Sequence, residues 1–195
     1  MSNCTINSIL EVDGDKAPLA KLIFAGATFM NEAEVFSYIE TSFLSLLDVS
    51  NSSLNRFCFL ADMKMLEHLD LSSSIIGDDS VELIVCIGAS LKSLNLSSTR
   101  VSSAGIGILA GHVTKLEILS LSHTSIDDVA LSYISLMPSL KVIDLSNTNI
   151  KGKVSSTNTL KLLLIWINHE YCHTRDSFTV LLSLLLLLLF FVTRL

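Results

Sequence analysis

The sequence predicts an α/β solenoid of stacked repeats, each with a short strand followed by a short helix or irregular turn. Two observations predict this fold class. Half of the chain is hydrophobic and 16% is charged, which excludes an intrinsically disordered chain. A leucine pattern, L-x-x-L-x-L-x-x-S/T, also recurs with small variations about every two dozen residues. Six segments carry it, beginning at Leu19, Leu44, Leu66, Leu91, Leu116 and Leu140.

Each segment has the spacing of a short strand. Its fourth and sixth residues, such as Leu69 and Leu71, are two apart and therefore point to one face of the strand. The third and fifth residues then point to the opposite face. We therefore expect an apolar face against the core and an outward face that is open to a partner.

The stretch after each strand has the spacing of a short helix. In three units, two apolar residues lie three apart and give the helix one inward face. These pairs are Val81 and Ile84, Ile106 and Leu109, and Leu131 and Ile134. One such unit cannot bury its own apolar face, so neighbouring units must stack to form a continuous core.

The repeats resemble the leucine-rich repeat family, and the resemblance covers Leu19 to Gly152. The common form of the family has Asn at the ninth position, whereas this chain has mostly Ser or Thr. A hydroxyl can also bond to buried turn backbone, although it makes fewer bonds than an amide. The repeats lack the Ile-Pro element of the secreted plant-type class. Their length and helical second half are similar to the intracellular ribonuclease-inhibitor-like or cysteine-containing type.

These features divide the chain into four predicted regions. Residues 1–18 form an amino-terminal cap region, and residues 19–152 form the leucine-rich-repeat solenoid of about six repeats. Residues 153–177 are a degenerate repeat or a linker. Residues 178–195 are a hydrophobic carboxy-terminal segment, which we expect to form an apolar helix.

The resemblance implies a parallel sheet on the concave side and short helices on the convex side. It also implies that a partner protein binds to the outward residues of this concave sheet. The candidate contact residues are Asp48, Asp70, Asn95, Ser120, Asp144, His68 and Ile118. Exposed aliphatic residues often mark interaction sites, but strand propensity alone also favours them, so both interpretations are open. We expect no catalytic group, no bound metal and no cofactor at this surface.

Charge narrows the class of partner. Residues 1–152 carry 9 basic and 17 acidic residues, a net charge of −8. This argues against nucleic-acid binding, which needs a surplus of Lys and Arg, and favours a partner with a basic surface. The alternative is that the acids form only a solvated face. Asp78–Asp79 and Asp127–Asp128 fit this alternative, since they precede helical stretches whose amino ends favour carboxylates.

One motif suggests an enzyme instead. His169-Glu170-Tyr171-Cys172-His173 matches H-E-x-x-H, which resembles the zinc-dependent metalloproteases and on a helix would place two imidazoles on one face. A third ligand is also needed, and Asp176 is the one candidate before the apolar tail. We therefore treat a zinc metalloprotease as a remote alternative and predict that the chain is not an enzyme.

The last feature is the apolar run Phe178–Val192. It contains no charge, but as a helix it reaches about 22 Å, short of the roughly 30 Å hydrocarbon core of a bilayer. A membrane anchor is one hypothesis for this run. A buried helix that covers the end of the solenoid and an appended, unselected terminus are the others.

The sequence therefore predicts a non-catalytic protein-binding module that acts as a scaffold or as a substrate adaptor of a ubiquitin ligase. The alternative is a membrane-anchored receptor-like or tail-anchored repeat protein. The first residues lack a basic stretch followed by an apolar run, and the cysteines are scattered. We expect a cytoplasmic or nuclear location, with membrane association through the apolar run if it inserts. Sequons at Asn3, Asn51 and Asn95 matter only on a secretory route.

Overall fold

The computed structural model describes residues 4–6, 19–30, 32–37 and 39–151. The predictions for residues 153–177 and 178–195, including the H-E-x-x-H motif and the apolar helix, lie outside these ranges, as does most of the predicted cap region. In chain order the elements are β1 (Thr5–Ile6), β2 (Lys21–Ile23), β3 (Thr28–Phe29), α1 (Glu32–Ser37), β4 (Leu46–Asp48), a 3-10 helix (Cys58–Asp62), β5 (His68–Asp70), α2 (Asp78–Val85), β6 (Ser93–Asn95), α3 (Ser103–Ala110), β7 (Ile118–Ser120), α4 (Asp128–Ile134) and β8 (Val142–Asp144).

The strands of the repeats form one parallel sheet in the order β2-β4-β5-β6-β7-β8. Equivalent positions of successive repeats are paired, so that His68 lies opposite Leu46 on one side and Ser93 on the other. A separate parallel pair, β1 with β3, lies near the amino-terminal end. The predicted parallel sheet with short helices is therefore confirmed for the described part of the chain.

The leucine positions of the pattern form the core. In the third repeat, Leu66, Leu69 and Leu71 are at most 2% exposed, and the fourth and fifth repeats are equally buried at these positions. Leu19 is an exception at 37% exposure, because its strand β2 lies at the end of the sheet. Each repeat therefore contributes one layer of apolar side chains to a core shared with its neighbours.

The predicted helical stretches are helices α2, α3 and α4, and the inward pairs predicted for them are buried. The repeat that begins at Leu44 has a short 3-10 helix instead. The interval from Leu44 to Leu66, 22 residues, is the shortest of the five between successive repeats, so this repeat has less chain available for a two-turn α-helix. No helix in the described ranges has both the length and the apolar character needed to cross a bilayer.

The eighth residue of every repeat has a left-handed backbone, with φ between 51° and 67°. These residues are Gly26, Asn51, Ser73, Ser98, His123 and Asn147. The first five residues in this conformation donate their N–H to the next repeat, as Ser98 N donates to Ser122 O over 2.8 Å. Gly and Asn adopt it at low cost, which is the sequence signal for it.

The ninth-position hydroxyls also satisfy backbone, but within their own repeat. Ser74, Thr99 and Thr124 are buried, and each donates to the carbonyl oxygen three residues earlier, over 2.5 to 2.6 Å. Ser52 Oγ is buried and has no hydrogen-bond partner among the described residues. The predicted bonds from ninth-position hydroxyls to backbone are therefore present from the third repeat onward and incomplete in the first two repeats.

On the convex side, a carboxylate of one repeat binds the serine that caps the helix of the next. Asp78 accepts hydrogen bonds from Ser102 N (2.8 Å) and Ser102 Oγ (2.5 Å), and Ser102 Oγ in turn caps α3 by accepting from Ala104 N. Gly105 makes room for this carboxylate, since a Cβ there would clash with Asp78 Oδ1 and lie 3.0 Å from Val101 Cγ1.

One repeat later, the helix cap is itself a carboxylate, and it also bonds to the preceding repeat. Asp127 Oδ1 accepts from Val129 N (3.1 Å), which caps α4, and from Ser103 Oγ (2.7 Å) of the preceding repeat. These two donors, the Ser103 hydroxyl first, hold the pKa of Asp127 below its ordinary value of 3.8. Asp128 Oδ1 accepts from Lys151 N (2.7 Å). Residues of both acidic pairs therefore form hydrogen bonds at helix ends and between neighbouring repeats, in addition to their contact with solvent.

We predict that Gly105→Ala destabilises the protein although alanine is the better helix former. The added methyl clashes with the Asp78 carboxylate, and we expect the free energy of unfolding to fall by about 1–3 kcal/mol in urea denaturation. Gly111→Ala is the matched control, because no atom lies within 4 Å of a Cβ at Gly111. We expect that variant to be more stable than the wild type by about 0.4–1 kcal/mol. Equal stability of the two variants would contradict this account of Gly105.

Candidate binding surface

The third residues of the repeats form a row along the outward face of the sheet, which we call the third-position row. Its members in order are Lys21, Leu46, His68, Ser93, Ile118 and Val142. His68 and Ile118, both predicted contact residues, are exposed, and Ile118 is 45% exposed. Neighbouring strands are about 4.8 Å apart, so these two residues are roughly 10 Å apart with Ser93 between them.

The fifth residues form a second row, the fifth-position row, at the carboxyl ends of the strands. It contains the other five predicted contact residues, Asp48, Asp70, Asn95, Ser120 and Asp144. All five are half-buried. In the Asp and Asn members, Oδ1 accepts the backbone N–H of the serine two residues later over 2.9 to 3.0 Å. These bonds are Asx turns, which bend the chain as it leaves each strand.

Side chains of the fifth-position row also bond to one another. Asn95 Nδ2 donates to Asp70 Oδ2 over 3.0 Å, and Ser120 Oγ donates to Asp144 Oδ2 over 3.4 Å. Ser97 Oγ and Ser120 Oγ are 2.8 Å apart. Side-chain bonds therefore connect neighbouring repeats at the carboxyl ends of the strands β5 to β8. Sequence reasoning missed this structural role, although the repeated spacing of Asp or Asn two residues before Ser was its signal.

Exposed charges alternate at the amino ends of the strands. Lys92 Nζ lies 2.7 Å from Glu67 Oε1, and Lys141 Nζ lies 2.9 Å from Glu117 Oε1, each pair joining adjacent repeats. The hydrogen bond from Lys92 holds the pKa of Glu67 below its ordinary value of 4.5, and the positive charges of Lys92, His68 and Lys115 act in the same direction. Exposed pairs of this kind contribute little stability, but they set the charge that a partner meets.

The described residues hold no group of three or more His, Cys, Asp or Glu side chains that could bind a metal ion. The zinc-site hypothesis concerns His169, Glu170 and His173, which lie outside those residues.

The structure brings together all seven predicted contact residues on one sheet, two in the third-position row and five in the fifth-position row.

Comparison with known proteins agrees with this geometry. Two family models, both described as leucine-rich repeat, match residues 89–153 and 62–85. Residues 62–85 and 89–153 match leucine-rich repeats. The first match takes in strands β6, β7 and β8, and the second takes in β5 and α2, so both fall on the repeats that form the sheet.

Two proteins are similar to this chain over about two thirds of its length. Toll-like receptor 2 type-2 of Gallus gallus is 31% identical over an alignment of 147 residues that covers 68% of this chain and 19% of the receptor. An internalin of Listeria monocytogenes has the same fold, with a TM-score of 0.56, 19% identity and coverage of 66% of this chain and 35% of the internalin. The chain thus spans about a fifth of the length of the receptor and a third of the internalin.

We predict that the carboxylates of the fifth-position row can lose their charge but not their acceptor oxygen. Asp48→Asn keeps the oxygen that accepts from Ser50 N, and we expect its stability to stay within about 0.5 kcal/mol of the wild type. Asp48→Ala removes the Asx turn, and we expect a loss of about 1 kcal/mol. Chemical denaturation of both variants measures the difference. A stable Ala variant would show that the turn contributes nothing.

Proposed function

We propose that this chain is a non-catalytic module that binds a partner protein through the concave face of its leucine-rich-repeat sheet. The observation that supports this most directly is the third-position row, where Ile118 is 45% exposed and Val142 lies beside it on β8. Aliphatic side chains on an outward sheet face can gain by removal from water. The neighbouring polar residues supply the specificity that an apolar contact lacks.

The surface is held in shape before any partner arrives. The strands are joined by backbone hydrogen bonds, and the fifth-position row adds side-chain bonds at the carboxyl ends of the strands. A rigid surface loses little conformational entropy on binding, which favours affinity. In this proposal Ile118 and His68 make direct contacts, while the fifth-position residues hold the edge and contribute polarity.

The finer parts of this proposal rest on the sequence. We propose a partner with a basic surface because residues 1–152 carry a net charge of −8. We also propose the ribonuclease-inhibitor-like type, since the later repeats carry α-helices on their convex side. A scaffold or ubiquitin-ligase adaptor in the cytoplasm or nucleus is the role that fits this type.

The matched Toll-like receptor favours a second candidate, a receptor-type role outside the cytoplasm. The sequon at Asn51 can distinguish the two roles, because Asn51 is exposed. We predict that, when the chain is expressed in animal cells, Asn51 carries no glycan and Asn51→Gln leaves the electrophoretic mobility unchanged. A glycan removed by endoglycosidase and lost in Asn51→Gln would favour the receptor-type role.

For the concave-face proposal, we predict that Ile118→Glu weakens partner binding by about tenfold or more, because it places a charge in the apolar contact. Val129→Glu is the matched control, since Val129 is 54% exposed on α4, on the convex side, and takes the same new charge. A photo-crosslinking residue in place of Val142 identifies the partner in cells, and titration calorimetry with that partner measures both variants. Equal weakening by both variants, or by neither, would overturn the concave-face assignment.

A further inference from the structure

A cleft of about 510 Å³ lies beside the amino ends of the central strands. Three lysines line it, Lys64, Lys92 and Lys115, together with Met65 and the single carboxylate Glu67. The lysines lie shortly before three successive strands, β5, β6 and β7 respectively. None of the predicted contact residues lines this cleft. No residue of the third-position or fifth-position row lines it either.

The lining of the cleft carries a surplus of positive charge. Glu67 pairs with Lys92 at 2.7 Å and also interacts with the charge of Lys115, so three lysines share one carboxylate among the lining residues. Lys64 Nζ donates to the carbonyl oxygen of Cys86 over 3.2 Å, a bond that holds its ammonium group at the wall of the cleft without neutralising it. In a chain of net charge −6, this is a local reversal of sign.

The arrangement of these lysines fits an extended ligand. Three successive strands cover two strand spacings, or roughly 10 Å, so the positive charges are spread along the solenoid axis. Met65, which is 62% exposed, adds an apolar surface at the same place. A compact phosphate would compete with Glu67 for Lys92, whereas acidic side chains on an extended segment can reach Lys64 and Lys115 and leave the Glu67–Lys92 pair in place.

We propose that this cleft binds an acidic segment of a partner protein, with Lys64 and Lys115 contacting its carboxylates and Met65 contacting its apolar atoms. The proposal rests on the proposed function in one respect, namely that the chain binds a protein. It adds a second contact region, at the amino ends of β5 to β7, and a class of ligand of opposite charge to the basic surface expected at the concave face.

The test uses a fluorescein-labelled hexaglutamate peptide, with hexalysine as the peptide of opposite charge, and measures binding by fluorescence anisotropy. We expect saturable binding of hexaglutamate and none of hexalysine. Lys64→Glu with Lys115→Glu should weaken hexaglutamate binding by about tenfold or more, and Lys64→Gln with Lys115→Gln by a smaller factor. The glutamine pair keeps the test valid if charge reversal lowers stability, and circular dichroism checks the fold of each variant.

Arg56→Glu with Lys151→Glu is the matched control, because both residues are exposed, neither lines the cleft, and the change in net charge is the same. We expect this variant to bind hexaglutamate within about twofold of the wild type once long-range attraction is screened by about 0.15 M salt. If both double variants lose binding equally, attraction to the whole chain explains the result and the cleft proposal fails.

Two further outcomes would overturn the proposal. One is the absence of saturable hexaglutamate binding to the wild type. The other is binding of inorganic pyrophosphate, measured by calorimetry, that is as tight as hexaglutamate and equally sensitive to the lysine variants, which would assign the cleft to a small oxyanion. Ile118→Glu should leave hexaglutamate binding unchanged. Because these measurements need no native partner, they fail independently of the concave-face test.

Discussion

The backbone hydrogen bonds between successive repeats are the constraint on which the rest of this structure depends. They begin in the short strands and continue beyond them, through the sixth and eighth residues of each repeat. The eighth residue donates in this way from a left-handed backbone, as at Ser73 and Ser98. Each repeat is thereby set at a fixed distance and register from the next, and the apolar layers coincide.

This register decides what the concave face can do. Because equivalent positions are paired, each outward position becomes a straight row of side chains. The rows differ in role. The third-position row presents His68 and Ile118 to solvent, whereas the fifth-position row uses its carboxylates to hold the turns and one another. A residue such as Asp70 lies on the outward face of the sheet, but its side chain has a structural role.

On the convex side, too, some carboxylates are used in hydrogen bonds within the protein. Asp127 caps α4, Asp78 binds the serine that caps α3, and both join neighbouring repeats, so they are more than a solvated face. The exposed charges that remain available to a partner lie elsewhere, at the amino ends of the strands, where Lys64 and Lys115 line the cleft. Net charge alone favoured an acidic surface. The local distribution shows both signs, in separate places.

The sequence by itself determined the repeat, the parallel sheet, its register and the inward faces of three helices, because a leucine pattern that recurs at nearly constant intervals can bury its apolar face only by stacking. Tertiary structure decided which polar residues were already engaged. The Asx turn at Asp48 is local, but the bonds from Asp70 to Asn95 and from Asp78 to Ser102 join residues that are distant in sequence and belong to different repeats. The cleft likewise exists only once repeats are stacked, since no single repeat contains its three lysines.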